Sequence, residues 1–126
     1  MRNFLKWQIL PLIFLLIFPS YIFSFQKTTI KEILNDPDFY HQKVVKVIGE
    51  IKNLRLKVSR KGNPYTTFRL MDKTGNSLKV FIWEHQDLKE GDLVEVTGVF
   101  KRIKRVGIYT FFNEIEAERI KKISKL

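Results

Sequence analysis

From residue 43 onward apolar and polar positions alternate, and the period of two is clearest from Tyr65 to Trp83, where YTTFRLMDKTGNSLKVFIW reads as two strands around a turn. Thr66, Phe68, Leu70, Leu78, Val80 and Ile82 share one face, the natural core side. The other face carries Tyr65, Thr67, Arg69, Lys79, Phe81 and Trp83, so rings and cations are interleaved. Flat rings among positive charges suit a ligand with stackable planes on an anionic backbone, which describes single-stranded nucleic acid. Cover by a helix or a terminal segment is the other account of the same face.

The pattern on either side of this hairpin completes a small set of elements. Thr29-Ile-Lys-Glu32 has capping-box spacing, Ile30, Ile33 and Leu34 give a short apolar face, and Asp36-Pro37 stops the helix. In KVVKVIGEIKNLRLKV, Val45, Val47, Gly49 and Ile51 fall on one face of a strand, and Gly49 in mid-strand predicts a bulge or sharp bend. SRKGNPY at 59–65 is turn chemistry, Asp72-Lys-Thr-Gly75 turns the central hairpin, and 84–92 interrupts the pattern with at most one helical turn. Two more strands follow, LVEVTGVFKRI from Leu93 and IYTFFNEIEAERI from Ile108, separated by a basic loop. Five strands in this order predict a small closed barrel, since strands this apolar left with open edges would aggregate.

The start of the chain reads differently. Arg2 and Lys6 precede the apolar run ILPLIFLLIFPSYIFSF at 9–25, the order of an export signal. Residues 1–24 are therefore expected to be a signal peptide or N-terminal membrane anchor, and residues 25–126 one domain. Ser24 suits a cleavage site while Ile22 suits it poorly; the reading favours cleavage, because the run is short for a span needing roughly 20 apolar residues. The expected location is periplasmic or extracellular, with membrane attachment only through a retained N-terminus. The absence of cysteine excludes disulfides, thiolate metal sites and a lipidated lipoprotein cysteine.

Charge narrows the partners. The 126-residue chain has 23 Lys and Arg against 13 Asp and Glu, a net +10, and beyond residue 24 the balance is +8. Such a domain attracts polyanions, whether nucleic acid, anionic lipid headgroups or acidic polymers, although basicity also serves plain solubility. Chemistry is not expected. His41 and His85 are the only histidines and lack metal-ligand spacing, Glu84-His85 reads as a rim contact, and no nucleophilic triad, phosphate loop or dinucleotide fingerprint can be assembled. Glu114, Glu116 and Glu118 alternate and could share a face that holds a cation, but they read as solvated strand carboxylates. The expectation is a non-catalytic binding protein with no cofactor and no metal.

Val47-Ile-Gly-Glu-Ile51, Ser59-Arg-Lys-Gly-Asn-Pro-Tyr65, Phe68-Arg-Leu-Met-Asp-Lys-Thr-Gly75, Leu88-Lys-Glu-Gly-Asp92 and Val94-Glu-Val-Thr-Gly98 together resemble the OB-fold of the tRNA-anticodon-binding type. Ile30-Lys-Glu-Ile-Leu-Asn-Asp-Pro37 and the ending from Gly107 to Ala117 are similar to those of small exported bacterial OB-fold proteins. The resemblance spans residues 28–123. It implies an all-β, five-stranded Greek-key barrel with a short N-terminal helix. It also implies a ligand lying across the second and third strands, bordered by the loops joining strands one to two and four to five.

The first of those loops holds Arg55, Lys57, Arg60 and Lys61, and the second Lys101, Arg102, Lys104 and Arg105. With Tyr65, Arg69, Lys79, Phe81 and Trp83 they make the expected nucleic-acid-binding set. Each stacked base would contribute ~1–3 kcal/mol with little sequence preference. Neutralising about five phosphates would give a salt slope of roughly −3 to −4. An envelope adaptor that uses the same groove for a protein partner or acidic polymer is the alternative. Two other exported or catalytic OB-fold types fit poorly: staphylococcal-type nucleases are longer, and the haem chaperone of cytochrome c maturation needs a His after the barrel, where this chain has none.

Overall fold

The computed structural model describes residues 26–123, so the expected signal segment and its boundary lie outside the described residues. The chain enters as a two-residue strand, β1 (Gln26–Lys27), parallel to the start of β2. Thr29 then caps helix α1 (Ile30–Asn35), its hydroxyl accepting from the Glu32 amide at 3.2 Å. The Glu32 carboxylate takes the Thr28 hydroxyl at 2.7 Å, so the second half of the expected capping box is redirected by one residue.

The single expected helix is in fact two. Asp36 ends α1 and caps a one-turn helix α2 (Pro37–Tyr40), accepting from the Phe39 amide at 3.3 Å. Pro37 cannot continue a helix yet suits the first position of a new one. Ile30, Ile33 and Tyr40 are buried against the strands, which fixes this lead-in to the barrel wall.

Five long strands follow: β2 (Val44–Val58), β3 (Pro64–Met71), β4 (Ser77–Trp83), β5 (Leu93–Val106) and β6 (Tyr109–Lys122). The sheet order is β1-β2-β3-β4-β6-β5, and β5 pairs back onto β2. Neighbours among the five long strands are antiparallel except β4 and β6, whose parallel ladder sets Lys79 opposite Glu114 and Phe81 opposite Glu116. This closed five-stranded sheet with its short helical lead-in is an OB-fold. The period-two faces hold: Val45, Val47, Ile51, Phe68, Leu70, Leu78, Val80, Val94, Val96, Phe100 and Ile115 form the core, and Thr66 and Ile82 are buried with them.

Three local expectations are corrected. Gly49 is not the bulge: a Cβ there would lie 2.7 Å from Leu70 Cγ and 3.0 Å from the Met71 carbonyl, so glycine serves close strand approach. The bulge comes later, where Asn53 and Leu54 oppose Phe68 alone and Asn53 takes φ 55. The amide of Leu54 at this bulge is met by the Glu90 carboxylate. Finally, the two basic loops are mostly strand. Arg55 and Lys57 lie in β2, and Lys101, Arg102, Lys104 and Arg105 all lie in β5, leaving connections of only 59–63 and 107–108. Each basic segment is thus an arm of a hairpin that extends beyond the barrel.

Candidate functional site

The outer face of β3 and β4 is built by register. Tyr65 stands opposite Trp83, Thr67 opposite Phe81, and Arg69 opposite Lys79. Three rings therefore gather at one end: Tyr65 and Phe81 have centroids 5.2 Å apart, and Phe81 and Trp83 meet edge to face at 4.9 Å. Trp83 is 54 % exposed. Among the described residues no helix covers this face. A cleft of about 580 Å³ opens over it, bordered by Lys57 and Ser59 of the β2–β3 hairpin and by Lys104, Val106 and Phe111 of the β5–β6 hairpin.

The wall beside the rings is acidic. Because β6 runs beside β4, Glu114 and Glu116 stand next to Lys79 and Phe81 in the cleft. Lys104 reaches in from β5, its Nζ 2.9 Å from Glu116 Oε1, 3.0 Å from Glu114 Oε2 and 4.4 Å from the Phe81 centroid. Lys101 pairs with Glu116 at 3.2 Å, and Lys79 approaches Glu114 Oε1 at 3.9 Å while lying over the Phe111 ring. Glu114 is only 2 % exposed, and its Oε2, though close to Lys104, makes no hydrogen bond of good geometry.

The protonation states follow the pairing. Burial pushes the Lys104 ammonium down, but the Glu116 and Glu114 carboxylates beside it outweigh this and hold it above its ordinary value. Burial pushes Glu116 up, and Lys104 and Lys101 outweigh it and hold the carboxyl below its ordinary value. Away from the cleft, slight desolvation of Asp72 is outweighed by hydrogen bonds from Thr74 and Asn76, which lower its carboxyl and lock the β3–β4 turn.

The expected residues divide into groups. Lys57, Tyr65, Lys79, Phe81, Trp83 and Lys104 line the cleft together. Arg55 and Arg69 line a smaller adjoining recess, with Arg69 Nε donating to Ser77 Oγ at 3.0 Å. Arg60 and Lys61 are exposed in the β2–β3 turn, and Arg105 is exposed on the other hairpin. Arg102 departs from the set: its guanidinium pairs with Asp38 of α2 at 2.9 Å, and its amide donates to His41 Nδ1. Lys101 and Lys104 are ion-paired rather than free. Nor is Glu114 a solvated carboxylate: with Glu116 it holds a cation, and that cation is the Lys104 ammonium. Glu118 borders the same cleft as Glu114 and Glu116, although it sits at a bulge as the extra residue between Arg119, opposite Thr97, and Ala117, opposite Gly98.

Sequence reasoning passed over Glu114, Glu116 and Phe111 as parts of this cleft. Their alternation was visible, but their place beside Lys79 depends on the parallel β4–β6 ladder, a pairing across more than 30 residues that no local pattern encodes. His85 is a rim contact as expected, its Nε2 2.9 Å from the Lys57 carbonyl oxygen. Among the described residues no group of three or more histidines and carboxylates is placed to hold a metal.

No family model matches this chain, and no curated protein matches it. Among solved structures it is similar to a chain in the crystal structure of yeast Stn1 and Ten1, at 10 % sequence identity and a TM-score of 0.63. The likeness covers 82 % of this chain and 65 % of that one, so this chain spans just under two thirds of its neighbour's length. It supports the OB-fold; the tRNA-anticodon subtype finds no support in these comparisons.

Proposed function

We propose that this protein binds single-stranded nucleic acid, without catalysis, in the cleft between the outer face of β3 and β4 and the two hairpins. The observation that carries the reading is the gathering of Tyr65, Phe81 and Trp83 within about 6 Å of one another, with Trp83 open to solvent, in a cleft bordered by cationic arms. Rings supply stacking planes for bases, and Arg55, Lys57, Arg60, Lys61 and Arg105, which have no ion-pair partner among the described residues, supply charge for phosphates. Arg69, Lys79, Lys101, Arg102 and Lys104 then act as supports of the cleft rather than as the main phosphate contacts. The order of residues 1–24 supports placing this binding outside the cytoplasm, in a periplasmic or extracellular setting.

The test is a titration of the full chain with fluorescently labelled oligo-dT at low salt, followed by anisotropy. Binding that weakens between about 5-fold and 100-fold in Phe81→Ala supports the reading. No response to oligo-dT, oligo-dC or oligo-dA rejects it. A second reading, a protein partner or acidic polymer in the same cleft, is favoured by one observation: Glu114 and Glu116 already neutralise Lys101 and Lys104, which leaves the cleft wall less cationic than the sequence suggests.

A further inference from the structure

The β5–β6 hairpin carries a second surface that the cleft does not use. At its turn Ile108 is 91 % exposed and Tyr109 54 %, and Phe112, three rungs down the hairpin opposite Ile103, is 65 % exposed. A single exposed apolar side chain needs no explanation, but an apex made of several marks an interaction surface. The unpaired charge next to it is positive. Residues 101–113 contain Lys101, Arg102, Lys104 and Arg105 and no acidic residue, and Arg105, nearest the turn, is exposed with no ion-pair partner among the described residues.

Topology adds a second, independent observation. In the β2–β5 ladder Val44, the first residue of β2, stands opposite Val99; Phe100 still bonds to Gln42 and Lys43 and the Arg102 amide to His41, and from there β5 runs on with β6 alone for four more residues to Val106, a reach of about 13 Å. The described chain begins at the same end, since Gln26 stands opposite Val45. The sequence before Gln26 is the apolar run behind Arg2 and Lys6. The apolar apex and the first described residue therefore lie at one end of the barrel.

We propose that this apex docks on an anionic lipid bilayer, with Ile108 entering the acyl boundary, Tyr109 at the headgroup level and Arg105, one rung further from the turn, on lipid phosphates. The chemistry matches each part of that interface: an aliphatic side chain below, an amphipathic phenol at the boundary, and a cation above it. Free phosphate or nucleic acid would satisfy Arg105 but would leave Ile108 in water. The proposal shares Arg105 with the proposed nucleic-acid contacts, and insertion of the Ile108 position distinguishes the two because only lipid buries it.

The chain has no cysteine, so Ile108→Cys accepts a single environment-sensitive fluorophore, and Lys89→Cys, at the opposite end of β5, serves as the reference. The full chain is mixed with vesicles of phosphatidylcholine alone or with phosphatidylglycerol, each with and without brominated lipid. On phosphatidylglycerol vesicles the Ile108→Cys label shifts to the blue and is quenched by bromine, while the Lys89→Cys label does neither. This readout reports the apex whether or not residues 1–24 hold the chain to the vesicle. Adding Arg105→Glu lowers the inserted fraction, equivalent to at least about a fivefold loss of affinity. An Ile108→Cys label that stays as water-exposed as the Lys89→Cys label, or that inserts equally into neutral vesicles, overturns the proposal.

Discussion

Lys104 and Glu114 meet inside the cleft, an ammonium 3.0 Å from Oε2 of a carboxylate that is 2 % exposed. Removing the ammonium leaves a buried negative charge with only Lys79 nearby, at 3.9 Å. Lys104→Met should therefore cost about 3 kcal/mol in urea unfolding, because a broken buried pair costs far more than an intact one contributes. Glu114→Gln in the same background should recover most of the loss. Full stability in Lys104→Met alone would show that the pair does not fasten the hairpin to the barrel.

The same network gives a pH dependence of known sign. Glu116 lies below its ordinary 4.5, so its contribution is present above that value and is lost as pH falls through the depressed one. Lys104 lies above its ordinary 10.5, so its contribution is complete below that value and is lost as pH rises through the raised one. The stability gap between the wild type and Glu116→Gln should then be flat from about pH 5 to 10 and shrink on either side. A gap that grows on acidification would contradict the pairing.

Two glycines that look alike in sequence should behave differently. A Cβ at Gly98 would fall 2.2 Å from the Glu116 carbonyl oxygen and 2.6 Å from Ala117 Cα, both backbone atoms of β6 beside the Glu118 bulge. At Gly49 the nearest atom is Leu70 Cγ, which can turn away, although the Met71 carbonyl follows at 3.0 Å. Gly49→Ala should cost about 1–3 kcal/mol, as overpacking does, and Gly98→Ala more than about 3. Thermal unfolding of both variants checks the order.

Salt should separate the cations that the sequence groups together. Arg55, Lys57, Arg60, Lys61 and Arg105 are without ion pairs among the described residues, which gives a slope of log affinity on log salt of about −3.5 for a single strand. Lys57→Ala should reduce the slope by about 0.7. Arg102→Ala should leave it unchanged, since that guanidinium already faces Asp38.

The division between what was legible and what was not follows from the range of the interactions. The β3–β4 face, the Thr29 cap and the Asp72 turn are local, and alternation or turn chemistry encodes them within a few residues. The hairpin arms were hidden because Arg55-Leu56-Lys57-Val58 alternates like any strand but has lost its core, so Leu56 and Val58 are exposed and the segment reads as a loop. Arg102 and Lys104 sit two apart on one arm, yet one turns to α2 and the other into the cleft. Only the packed barrel decides which.

The parallel ladder between β4 and β6 also sets an order of assembly. The last strand in chain order among the described residues supplies both remaining pairings at once, to β4 on one side and to β5 on the other. Until residues 109–122 arrive, β4 and β5 each show a row of unpaired amides and carbonyls, beside a core that lacks Ile115. Chains that stop before Tyr109 are thus expected to associate edge to edge rather than fold.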